Sequence, residues 1–181
     1  MRKGFTLVEL SIVLVIVGLL IGGVLKGKGM IESTKVKRVK SDIDSIVTAV
    51  YTYQDRFNAL PGDDNVARTI GTVTTIVGDG DGLMEAGEAL QSWRAFIAMG
   101  VISGNSAATT EALIAKKSPY GDQYLIRTDV TGHNIQSDNI PNDVIRQLDE
   151  KFDDGINTSG DIRSDIAYGT AGNALLTWYA F

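Results

Sequence analysis

Cysteine is absent from all 181 residues, which excludes disulfides and thiolate metal sites. Histidine occurs once, at His133, in a polar stretch that reads as surface. No nucleophile elbow, zinc-ligand spacing or phosphate-binding glycine loop accompanies it. The chain therefore reads as no enzyme. Adjacent acids such as Asp63 and Asp64 mark no substrate cleft on their own. Proline is missing before Pro61, so no ring interrupts a helix in the first third of the chain. Internal repeats and low-complexity tracts are missing too. Aromatic content is 7% and hydrophobic content 44%, enough for an ordinary core.

What the chain does have is a long apolar run. Phe5 to Leu25 carries only Thr6, Glu9 and Ser11 as polar side chains, and Lys26 ends it. As a helix the run is about 30 Å long, the thickness of a bilayer's hydrocarbon core. Glu9 is its anomaly. A carboxylate inside a membrane helix is costly and calls for a partner and a function.

Charge is divided sharply along the chain. Residues 26–40 hold six Lys/Arg against the single acid Glu32. Residues 41–181 hold 20 acids against nine bases, a net of −11. An acidic domain on a basic neck argues against nucleic acid as the partner, and the neck lacks interleaved aromatics. The asymmetry suits Ca2+, or one subunit's acidic face packing on another's basic neck.

The run is preceded by Met1-Arg2-Lys3-Gly4, a short basic leader with no small-x-small signal-peptidase site after the run. Gly4-Phe5-Thr6-Leu7-Val8-Glu9 resembles the processing site of type IV prepilins and the related pseudopilins. The resemblance implies cleavage after Gly4 by prepilin peptidase, N-methylation of Phe5, and Glu9 retained as an assembly residue. It implies a bacterial inner-membrane precursor with an extracytoplasmic domain, then an extracellular or periplasmic homo-oligomeric filament built by a pilus or secretion assembly platform. The fold it implies is pilin-like α+β: a long N-terminal helix, membrane-spanning in its first half, packed on a small antiparallel sheet. The expected divisions are a leader at 1–4, a filament-core helix at 5–25, a basic neck and amphipathic helix at 26–60, and an acidic globular domain at 61–181. Many pilins close a C-terminal loop with a disulfide, and this chain has no cysteine to do so. A structural pilus subunit, a pseudopilin of a type II secretion system, and a membrane-anchored Ca2+-binding adhesin or hydrolase all remain open.

Cleavage gives Glu9 a physical role. A new amine at Phe5 can be neutralised by the Glu9 carboxylate of a neighbouring subunit, and a misplaced subunit leaves both charges buried and unpaired. The positive-inside rule taken alone would keep the basic neck in the cytoplasm; the processing motif places it outside. Gly18, Gly22, Gly23, Gly27 and Gly29 predict a weakened or closely packing stretch of the helix.

Beyond the neck, Val36, Val39, Ile43, Ile46, Val50, Tyr53 and Phe57 recur at spacings of 3 and 4, one apolar stripe ending near Asn58. Lys40, Asp42, Asp44 and Asp55 fall off that stripe. Further on, the pattern predicts a strand at Thr69–Val77, a helix at Glu85–Met99, strands at Tyr124–Val130 and His133–Asp138, a helix at Asp143–Phe152, and strands at Ile162–Tyr168 and Ala174–Phe181. The run Gly78-Asp79-Gly80-Asp81-Gly82 aims alternating acids around a tight turn. That suits Ca2+ at Asp79 and Asp81, with Asp63, Asp64, Glu85 or Glu88 completing the shell, though the spacing is not an EF-hand and Asp-Gly also makes ordinary turns. Asp153, Asp154 and Asp161 form a weaker second group.

Overall fold

The computed structural model describes residue 4, residues 6–75, 78–107 and 109–181. The chain divides into two compact units, Met1–Lys37 and Arg38–Phe181. One helix, α1 (Leu7–Phe57), supplies residues to both.

In the first unit α1 is continuous. Its apolar segment scores as long and apolar enough to cross a membrane, with none of it buried. The glycines do not break it: the helix runs through all five, and a Cβ added at any of them would meet nothing within 4 Å. In water such a surface loses the stabilisation that burial supplies, roughly 25 cal/mol per Å2 of apolar area. The segment therefore needs lipid or other helices around it.

In the second unit the stripe is the core. Val39, Ile43, Ile46, Val50 and Tyr53 are buried, joined by Ala49. Asn58 takes a left-handed conformation and its N–H closes onto Gln54 O at 2.7 Å, which stops α1 where Pro61 follows. Asp42 departs from the reading of the sequence: it is buried on this helix, not solvated.

The expected strand at Thr69–Val77 is a small hairpin. β1 (Thr69–Ile70) pairs antiparallel with β2 (Val73–Thr74) across Gly71, whose φ of +61 permits the turn. Ile76 and Val77 lie outside the described residues. α2 (Ala86–Ala98) buries Trp93 and Phe96 edge to face, with ring centroids 5.9 Å apart. α3 (Glu111–Ile114) is a single turn. The main sheet has four antiparallel strands in the order β3-β4-β6-β5. These are β3 (Leu125–Thr128), β4 (His133–Pro141), β5 (Ile162–Ser164) and β6 (Asn173–Trp178). β3 and β4 pair as the pattern predicts, Leu125 opposite Gln136 and Thr128 opposite His133. β4 runs longer, through an irregularity between Ser137 and Ile140, and leads straight into α4 (Asn142–Phe152). The layout is α+β, a long N-terminal helix followed by small antiparallel sheets.

Candidate processing and assembly site

The start of α1 is built as a helix cap. Thr6 Oγ1 donates to Glu9 Oε2 at 2.8 Å and Thr6 N–H donates to the same oxygen at 2.9 Å. Glu9 N–H donates back to Thr6 Oγ1 at 3.3 Å. This is a reciprocal capping box, the Thr-x-x-Glu arrangement that satisfies otherwise unpaired N–H groups in a helix's first turn. The spacing was legible in Thr6-Leu7-Val8-Glu9, but the acid's odd location drew the reading to intermolecular partners alone. Glu9 thus has one set of donors within its own chain. Gly4 is exposed just ahead of this cap. Phe5, the residue expected to be methylated, lies outside the described residues.

The acidic loop is organised around Asp63. This carboxylate is buried and accepts three backbone N–H groups: Gly80 (2.7 Å) and Asp81 (3.1 Å) on Oδ1, and Gly82 (2.9 Å) on Oδ2. Successive amides of a glycine-rich turn form a nest for an anion, and here the anion is the chain's own. The approach is close. A Cβ on Gly78 would sit 2.5 Å from Asp63 Cα, and Gly78 N–H donates to Asp64 O at 2.9 Å.

Of the six acids the sequence offers for Ca2+, three share one cluster and Asp81, Asp64 and Glu85 lie outside it. Oxygens of Asp63, Asp79 and Glu88 lie within 4.8 Å of one another. Asp81 turns its Oδ1 to Leu83 N–H at 2.8 Å. Asp64 binds elsewhere: its carboxylate takes Arg68 Nε at 2.6 Å and the Tyr53 hydroxyl at 3.0 Å. Glu85 is the exposed N-cap of α2, and its N–H donates to Glu88 Oε2 at 3.1 Å. Three oxygens are half the six that Ca2+ takes at least, and those of Asp63 are already engaged by amides. The three amides on Asp63 tie the loop to α1's exit segment at that residue.

Charge in the cluster is frustrated. Burial raises the Glu88 carboxyl above its ordinary range; the Glu85 and Asp79 amides work against this, and the Asp63 and Asp79 charges add to it. Asp64 goes the other way. Burial alone would raise it, but Arg68, Val66 N–H and the Tyr53 hydroxyl more than reverse that and hold it below the usual carboxylate range. In the second acidic group, Asp149 takes the place expected for Asp161. It joins Asp153 and Asp154, is fully buried, and accepts Tyr168 Oη at 2.6 Å and Gly155 N–H at 2.9 Å. His133 is half-buried, bonded to Thr128 Oγ1 at 2.8 Å and stacked on Phe181.

Asp42 is the residue that sequence reasoning missed. Its carboxylate meets Lys116 Nζ at 2.9 Å, Tyr124 Oη at 3.4 Å and Arg38 Nε at 3.8 Å. The only local signal was Arg38 one turn earlier.

The family model for the prokaryotic N-terminal methylation motif matches residues 1–25. Neither a curated protein nor a solved structure matches the chain. The chain therefore carries the signature of type IV pilin and pseudopilin precursors over its first 25 residues.

Proposed function

We propose that this chain is the structural subunit of a type IV pilus-like filament. It enters the bacterial inner membrane as a precursor, with residues 5–25 across the bilayer and residues 61–181 outside the cytoplasm. Prepilin peptidase removes residues 1–4, cutting after Gly4, and Phe5 is N-methylated. The exposed apolar half of α1 then leaves lipid for a bundle of the same helices from other copies. The observation that carries this reading is the methylation motif over residues 1–25, which runs into an unbroken apolar helix with none of its apolar segment buried.

Glu9 acts in two settings. In the membrane its carboxylate is held by Thr6. In the filament it gains the Phe5 amine of a neighbour, and the stronger ionic partner sets the axial register. A pseudopilin of a type II secretion system is the second reading, favoured by the absence of any cysteine for a C-terminal disulfide. Calcium has a place in this proposal at Asp63, Asp79 and Glu88, where a divalent ion would relieve repulsion among three carboxylates.

The test is the intact mass of the mature N-terminus. Loss of Met1 to Gly4 with gain of one methyl group supports the proposal. An intact or conventionally cleaved N-terminus overturns it in favour of a membrane-anchored adhesin or hydrolase.

A further inference from the structure

Two parts of the chain carry uncompensated charge of opposite sign. On α1, Lys26, Lys28 and Lys37 are exposed, and among the described residues none of them forms an ion pair. Lys26 and Lys37 are eleven residues apart, almost three whole helical turns, so they share one side of the helix about 16 Å from each other. In the second unit, Asp79, Asp81, Glu85 and Glu88 stand in a stretch, 69–93, that contains no Lys or Arg. Among the described residues none of these four acids forms an ion pair; their oxygens face backbone amides. Elsewhere in the second unit acids find cations: Asp42 has Lys116, Asp64 has Arg68 and Glu111 has Arg127.

We infer that the Lys26–Lys37 side of one copy's helix receives the Asp79–Glu88 loop of a neighbouring copy. The inference rests on the filament reading above. Its premise is the charge a filament must accommodate. Domains of net −11 placed side by side repel, and once residues 1–4 are removed the basic surplus of the chain is the five positive charges of residues 26–40. Anionic lipid is the competing occupant, and it reaches only part of the stripe. Lys37 lies twelve residues past Leu25, about 18 Å along a helix standing in the bilayer, beyond the headgroup layer and well over one Debye length. A protein partner is needed there, and the acidic loop is the complementary surface the chain supplies. The contact would guide encounter and orientation more than it adds affinity.

Absence of native cysteine makes the test clean. Lys37→Cys and Asp81→Cys copies are co-expressed, filaments are sheared, and a short bis-maleimide is added. A mixed-variant dimer, absent when either variant is expressed alone, is the expected result. Filaments that assemble without any mixed dimer overturn the inference. Should a cysteine variant fail to assemble, charge replacement decides. Asp79→Asn with Asp81→Asn preserves the turn-forming side-chain acceptors while removing two charges. Filament yield should fall about tenfold, as loss of electrostatic guidance allows, and its salt dependence should flatten. Lys26→Glu with Lys37→Glu should reproduce that loss, and combining it with Asp79→Lys and Asp81→Lys should restore assembly. Unchanged yield in all three overturns the contact; if the lysine variants then also fail to float with anionic phospholipid vesicles, the neck's partner is lipid. A wild-type chain that is processed but forms no filament overturns the reading beneath, which the mass measurement and microscopy separate from failure of this contact alone.

Discussion

Glu9 and Asp64 are both carboxylates on or beside α1, and they are finished to different degrees. Asp64, in the second unit, has a guanidinium, a phenol and an amide from its own chain. Its burial is matched by partners that arrive with folding. Glu9, in the first unit, has among the described residues the two donors of Thr6, on a helix whose apolar segment is unburied. The same contrast holds more widely. The four buried acids among the described residues, Asp42, Asp63, Asp64 and Asp149, all have hydrogen-bond partners within the second unit. The second unit is a completed fold; the first is a surface built to be covered by something else. Stability should therefore follow the domain acids, and assembly should follow Glu9.

The strongest way to break this comparison is Glu9→Ala. Processing at Gly4 should persist, while filament yield falls by at least about tenfold, the factor that 1.4 kcal/mol of lost pairing produces per contact. The melting temperature of the domain should not move. Normal filaments from this variant would remove Glu9 as a register device. Thermal unfolding of the full chain in detergent, with filament counts by electron microscopy, reads both quantities.

Asp64→Ala should do the reverse. It strands the buried Tyr53 hydroxyl and releases the half-buried Arg68, and should destabilise the domain by about 1–3 kcal/mol, as leaving a buried donor unsatisfied does. Denaturant unfolding measures this. The pH dependence has a definite sign. The folded carboxyl is held below its ordinary value, so the folded state binds its proton more weakly than the unfolded chain. Stability from Asp64 is present above about pH 4 and is lost as pH falls below that. Asp64→Asn should flatten the acid limb of the stability curve.

Much of this contrast was visible in the residues, and the part that was not has a common cause. Local periodicity announced α1, its apolar stripe, the β3–β4 pairing and the Glu9 anomaly, because each depends on neighbours a few positions apart. Asp42 looked solvated because Lys116 and Tyr124 are remote in sequence. The amide contacts of Asp63 were not legible, because nothing local says that Gly80, Asp81 and Gly82 will fold their N–H groups onto it. The strand expected at Thr69–Val77 became a hairpin at Gly71, since an isolated glycine in a strand pattern reads equally as a bulge or a turn. Glu88, which the sequence offers only as one of several acids able to complete a shell, joins Asp63 and Asp79 because the first turn of α2 carries it there.

A smaller effect sharpens the comparison at Thr6. Thr6→Val removes the hydroxyl from the cap and should cost the helix end about 1 kcal/mol, the usual worth of an N-cap. Hydrogen exchange should speed up at Glu9 N–H, which loses its acceptor. If Thr6 holds Glu9 until a neighbour's amine takes over, the variant should still assemble. A loss of filaments as complete as that of Glu9→Ala would instead make Thr6 part of the assembled contact.

The smallest effect concerns Glu88, where the domain's own bookkeeping is incomplete. Burial, with the charges of Asp63 and Asp79, raises its carboxyl. The folded state therefore binds this proton more tightly than the unfolded chain, and its contribution is favourable near and below pH 4.5 and lost as pH rises through the folded value. That slope opposes the one from Asp64, so Glu88→Gln and Asp64→Asn should move the acid side of the curve in opposite directions. A divalent ion offers the same relief as a proton. With Ca2+ at ten times a millimolar dissociation constant, the stabilisation is about 1.4 kcal/mol, or a rise of about 3–6 °C in melting temperature. Chelator should abolish the rise, and so should Glu88→Gln. Asp81→Asn should leave it in place, since Asp81 faces Leu83 and not the cluster. A rise that survives Glu88→Gln but not Asp81→Asn would return the ion to the Asp79–Asp81 turn; no rise at all would leave the loop to the three amides on Asp63.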